Sequence, residues 1–155
     1  MSLEKWLEYG WLRREPSSAN EIKALRGIVQ RSLDDSQVSG ISADLRFVAI
    51  FTAALTAATI ALRAAGYRTV TQVGHHTKII ESLELTVKAD PKLIQKLKVF
   101  SNKRNKSVYD VAGSVSDQDL KEIAKLAAEL NDHVTNWLQN SHPELLRAKS
   151  RRAGT

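Results

Sequence analysis

No cysteine occurs in the 155 residues. That absence excludes a disulfide framework, a thiolate zinc or iron–sulfur site and a cysteine nucleophile, and it favours a reducing compartment. The opening MSLEKWLEYG has no basic segment leading into an apolar stretch, so no secretory signal is expected and the cytoplasm is the expected location. Fixed-period repeats and low-complexity tracts are missing, which sets aside solenoids and arrays. Neither a Gly-x-Ser-x-Gly elbow nor a phosphate-cradling glycine loop is present, so nothing supports a serine hydrolase or a P-loop enzyme. The longest uncharged run, residues 47–62, is sixteen residues long. A membrane span needs about 20. With three threonines inside it and Arg46 and Arg63 at its ends, the run reads as a buried central helix, and no membrane partner is expected.

What is present is helical. The chain is 43% hydrophobic and 26% charged, the balance of one globular domain with its own core. Residues 3–9 carry Leu3, Trp6 and Leu7 at helical spacing. Ser18, with Glu21 three residues on, forms a capping-box pattern that opens a second helix to about residue 36. Ser42 caps a third helix over 43–65, closed by Gly66. A fourth is expected over 75–87. Asp90-Pro91 opens a fifth, running to about 108, and Ser116 with Asp119 opens a sixth, running to about 140. Pro143 starts a last short turn. Only residues 67–73 have any strand character. The expected fold is therefore all-α: an up-and-down bundle of four long amphipathic helices (second, third, fifth and sixth) with shorter ones laid on it. It occupies residues 1–140, followed over 141–155 by a short helix and a flexible basic tail.

Charge is unevenly placed. The 23 Lys and Arg exceed the 17 Asp and Glu by six, yet residues 91–109 alone hold Lys92, Lys96, Lys98, Lys103, Arg104 and Lys106 with no acid. Arg147, Lys149, Arg151 and Arg152 add four positive charges at the end, which leaves the remainder acidic. A basic segment and tail on an acidic body suit a polyanion such as RNA. Within the segment, Lys103, Arg104, Asn105, Lys106, Tyr109 and Asp110 form the most unusual polar cluster. Arg104 offers a planar fork for a phosphate, Asn105 a two-way amide, Tyr109 a stacking face and a hydroxyl, and Asp110 an acceptor. Metal chemistry has less behind it. The Glu-x-x-His pattern of di-iron bundles is missing, and a three-histidine site from His75, His76 and His133, serving a metal-dependent hydrolase, is the remote alternative.

The run KRNKSVYD in this helical order resembles the HEPN superfamily, whose signature is Arg, often a following polar residue, and then His after four to six intervening residues. Arg104 and Asn105 match its start, and Tyr109 stands where the His would be. Ser42-Ala43-Asp44-Leu45-Arg46-Phe47, Ala64-Ala65-Gly66-Tyr67-Arg68 and Gly74-His75-His76 are similar to small bacterial members, and the resemblance covers about residues 3–140. It implies a homodimer whose paired motifs meet in a cleft and act on RNA without a metal or other cofactor, often in a toxin–antitoxin or defence module beside a nucleotidyltransferase. Arg104, Asn105 and Tyr109 are then the catalytic candidates. Lys98, Lys103, Arg104 and Lys106 are the nucleic-acid-binding ones, and Arg46, Arg68, His75, His76 and Asp110 form a second polar tier. A tyrosine, with an unperturbed pKa of about 10, is a poor base at neutral pH. The replacement therefore turns the expectation from RNA cleavage towards binding of RNA or a nucleotide. A non-catalytic helical scaffold that binds a partner protein, such as a nucleotidyltransferase, is the alternative.

Overall fold

Helices start in this chain where an oxygen can take up the free N–H groups of the first turn. The computed structural model describes residues 1–70, 74–105 and 112–147. In it the hydroxyls of Ser2, Ser18, Ser42 and Ser116 accept the backbone N–H of Lys5, Glu21, Leu45 and Asp119 at 3.0–3.1 Å. They open α1 (Leu3–Glu8), α2 (Ala19–Asp35), α3 (Ala43–Ala64) and α6 (Asp117–Ser141). Asp90 takes the N–H of Lys92 at 2.8 Å and opens α5 (Pro91–Asn105). α4 (His75–Thr86) starts differently, from Gly74 at φ +72° with no side-chain cap.

The reciprocal half of the capping box forms at one of the two expected places. Asp119 Oδ2 accepts the Ser116 N–H at 2.9 Å. Glu21 does not reach back to Ser18, because its carboxylate is held by Arg63, at 2.7 Å from Nε and 3.0 Å from Nη2.

The fold is an all-α helical bundle, with one correction to the expected layout. α3 is not amphipathic. It lies at the centre, packed by α2, α6, α4 and α5, and twelve of its 22 residues are buried. Ala53, Ala54, Ala57, Ala58 and Ala61 are all within 1% of complete burial, and side chains this small let neighbouring helices approach closely. By length and composition α3 could cross a membrane, yet 56% of its most apolar stretch is buried against these neighbours. α4 belongs to the core as well, through the buried Ile79, Ile80 and Leu83.

A small sheet completes the body. β1 (Leu12–Arg14) pairs antiparallel with β2 (Tyr67–Thr69) in the register Leu12↔Thr69, Arg13↔Arg68, Arg14↔Tyr67. β2 falls inside the expected strand segment. β1 was not expected, since three residues are too few to show alternation. Gly66 at φ +94° turns the chain out of α3 into β2, a conformation that a side chain there would strain. After α6, residues Pro143–Leu146 form a 3₁₀ turn whose Leu145 and Leu146 pack on the core. Of the basic tail, Lys149, Arg151 and Arg152 lie outside the described residues.

Candidate nucleic-acid interface

α5 lies alongside α4, with Lys98 Nζ 3.4 Å from a Glu81 carboxylate oxygen. This packing brings the last turn of α5, which carries Lys103 and Arg104, towards the first turn of α4, which carries His75 and His76. Arg104 comes near enough for its charge to act on His76. The cations of α5 differ in what they have left to offer. Lys98 is paired with Glu81, and Lys103 Nζ lies 2.9 Å from Asp119 Oδ2. Burial draws the Asp119 carboxyl upward, but its bonds from Ser116 and Lys103 outweigh that and leave it below the usual carboxylate range. Arg104 makes a 3.3 Å bond to Asn105 Oδ1 and, among the described residues, has no carboxylate partner. Among those residues its charge is uncompensated. Lys106, Tyr109 and Asp110 lie outside the described residues.

Beside this turn, between α3, β2 and the start of α4, opens a cleft of about 400 Å³. Arg13, Arg63, Arg68, His75 and His76, with three threonines, supply its polar lining. The two imidazoles touch edge to face, with ring centroids 4.3 Å apart. Burial first, and then the charges of His75 and Arg104, push His76 below the usual histidine range, so it is neutral at neutral pH. Thr56 and Thr59 donate their hydroxyl protons to the carbonyls of Thr52 and Leu55, which satisfies them within the helix. Among the described residues no Asp or Glu lines the cleft. No protein-family model, curated protein or solved structure matches the chain.

The other expected residues separate by place. Arg68 lines the cleft but is held from behind, by Glu15 Oε2 on its Nε and by Glu21 Oε1 at 3.3 Å from its Nη2. Arg46 does not line the cleft. Its Nη2 points to the Val38 carbonyl at 3.4 Å, at the opposite end of α3. His133 caps the far end of α4, with Nε2 2.7 Å from the Val87 carbonyl oxygen, so it does not join His75 and His76. Val87 lies eleven residues on from His76 along α4, a rise of roughly 17 Å. Among the described residues no three His, Asp or Glu side chains stand together as metal ligands. The three-histidine hydrolase is thereby set aside.

Sequence reasoning missed Arg63 and its partners. Arg63 is 3% exposed, grips Glu21 with two nitrogens, and donates through Nη1 to the Glu15 and Tyr67 carbonyls at 2.8 and 3.1 Å. It ties α2, α3 and β2 together and so fixes the floor against which Arg68 and Arg13 are set. The signal was a single cation closing a sixteen-residue uncharged run, where desolvation demands a partner. A larger groove of about 570 Å³ between α5 and α6 mixes Lys92, Lys96, Lys121 and Lys125 with Asp90, Glu122 and Glu129. That alternation of sign leaves little net attraction for a polyanion.

Proposed function

We propose that the chain is a HEPN-like RNA-binding protein that works as a homodimer. It grips the phosphate backbone with Arg104, Asn105 and the other cations at the end of α5, and orders it against the neighbouring cleft. The observation that carries this reading is the contrast among the cations of one helix. Lys98 and Lys103 are each spent on an acid, whereas Arg104 keeps its charge beside the cleft that Arg13 and Arg68 line. A guanidinium with no counter-ion among the described residues is well suited to a phosphate. Charge alone would be satisfied by any nucleotide. Arg13 and Arg68 in the neighbouring cleft add cations to Arg104, which favours a polymer, whose affinity grows with the number of phosphates engaged.

A second reading, a scaffold that binds a partner protein such as a nucleotidyltransferase, draws support from the outer face of α3. Leu45 is 55% exposed there, followed by the half-buried Val48, Ala49, Thr52 and Thr56. Thr52 and Thr56 turn their hydroxyls to the carbonyls of Val48 and Thr52, so that face offers packing surface with few free donors. The same face suits a second copy of this chain.

Titration of the full chain with a fluorescent single-stranded RNA at several salt concentrations tests the first reading. Binding is expected to weaken steeply with salt, and Arg104→Ala is expected to lower the slope of log K against log salt by about one. An affinity for RNA that is absent at low salt, or indifferent to Arg104→Ala, sinks it. A stoichiometric complex with a co-purifying nucleotidyltransferase and no affinity for RNA would favour the second.

A further inference from the structure

We propose that a pocket between the end of α5 and the segment leading into α6 receives an unpaired base, adenine by preference, from the RNA strand whose phosphate Arg104 holds. This rests on the RNA-binding reading above and deepens it, because it assigns the site something to read besides charge. Phosphate contacts carry no sequence information, whereas single-stranded RNA is distinguished by bases splayed out of the stack and held at their edges. The pocket has a volume of about 380 Å³, within the range that holds small ligands. Among the described residues, Val99, Asn102 and Lys103 of α5 line one side of it and Ser114 the other.

Position is the first argument. Val99, Asn102 and Lys103 stand at i, i+3 and i+4 and so share one face of α5. Arg104 is the next residue, about 100° further round the helix, so one nucleotide can lay its phosphate on the guanidinium and its base in the pocket. Both walls are anchored. Lys103 Nζ lies 2.9 Å from Asp119 Oδ2, which also accepts the Ser116 N–H at 2.9 Å. On the other side of Ser114, the Gly113 N–H donates to Asp44 Oδ2 at 2.7 Å. The pocket is thus set before a ligand arrives, which lowers the cost of binding one.

The lining then selects the ligand. Val99, 54% exposed, offers an apolar face, and the stem of Lys103 extends it while its ammonium stays on Asp119. Asn102 is exposed, and its amide presents donors beside an acceptor. Ser114 Oγ is closed off from solvent and has no hydrogen-bond partner among the described residues, which leaves it for a ligand to satisfy. A base with an amino group next to a ring acceptor complements the amide, as the N6 and N7 atoms of adenine do. Guanine shows two acceptors on that edge, one of which would face the amide carbonyl. Cytosine and uracil carry a donor beside an acceptor too, but on a smaller ring that covers less of the apolar face.

The test measures fluorescence anisotropy of the full chain with labelled decauridine and with the same oligomer carrying one central adenosine, at a single low salt concentration. The wild type is expected to bind the adenosine oligomer about tenfold tighter. Asn102→Leu is expected to bring the ratio of the two affinities close to one. Ser114→Ala is expected to lower it in the same direction, and gives a second reading should the leucine variant fold poorly by circular dichroism. Arg104→Ala is expected to weaken both oligomers alike and to keep the ratio. Equal binding of the two oligomers by the wild type, or a ratio undiminished in a folded Asn102→Leu, overturns the pocket and leaves the RNA-binding reading standing. Absence of affinity for either oligomer is instead the failure of that reading, and the pocket falls with it.

Discussion

At the scale of single residues, the most consequential side chain for stability is Arg63. A guanidinium that is 3% exposed costs several kcal/mol to desolvate, and it persists because it makes four hydrogen bonds, two to Glu21 and one each to the Glu15 and Tyr67 carbonyls. Arg63→Ala should lower the unfolding free energy by about 3 kcal/mol, since Glu21 and two carbonyls lose their donors together. Arg63→Met, which refills the volume, should lose less, because Glu21 can still turn to water. Urea denaturation of both variants checks the order. The network also sets the response to acid. Hydrogen bonds from Arg63, opposed by burial, hold the Glu21 carboxyl below the usual carboxylate range, and those from Arg68 hold Glu15 there too. A carboxyl lowered in the folded state stabilises the fold in full above its unfolded value, and that contribution is lost as pH falls through the folded one. The melting temperature should therefore drop from about pH 5 downward, more steeply in the wild type than in Arg63→Met. The uncharged run that Arg63 closes showed that it needs a partner but not which one, because Glu21 and Glu15 stand 42 and 48 positions away.

Elements were legible in proportion to how local their causes are. The serine caps at residues 2, 18, 42 and 116 lie within three residues of the N–H groups they serve, so the start of each of those helices could be read from spacing. The stripe Leu120, Ile123, Ala127, Leu130, Val134 and Leu138 marked one side of α6 in the same way, and all of these but the half-buried Leu120 are buried. β1 could not be read so, since its pairing with β2 depends on residues some fifty positions on. The candidate site divides along the same line. Arg104 and Asn105 stood out in the sequence, and so did the paired His75 and His76, but only packing of α5 on α4 places Arg104 by His76. Local causes can be tested locally. Ser116 serves α6, the longest helix, through a reciprocal cap, and Asp119 also anchors Lys103 from α5. Ser116→Ala should cost about 1 kcal/mol by chemical denaturation. Asp119→Ala should cost more, because it removes the cap and the α5–α6 link at once, and it should raise RNA affinity slightly by freeing Lys103.

At the scale of the whole molecule, charge and shape pull in different directions. Arg104, with no carboxylate partner among the described residues, and the basic stretch around it repel a second copy of themselves unless an anion lies between them. The outer face of α3, headed by the exposed Leu45, gains by being covered. A homodimer therefore has to draw its affinity from apolar packing and give some of it back to like-charge repulsion. Salt screens the repulsion and leaves the packing intact, so self-association should hold or tighten between 50 and 500 mM salt, on the order of one Debye-length change from about 14 to 4 Å. RNA binding should weaken over the same interval. Leu45→Glu places a charge on the α3 face while leaving the core untouched, because Leu45 lies outside it. That variant should sediment as a monomer at concentrations where the wild type is dimeric, with an unchanged melting curve. If it remains a dimer, the α3 face is not the contact. If the wild type dissociates as salt rises, ion pairs rather than apolar packing hold the two copies together.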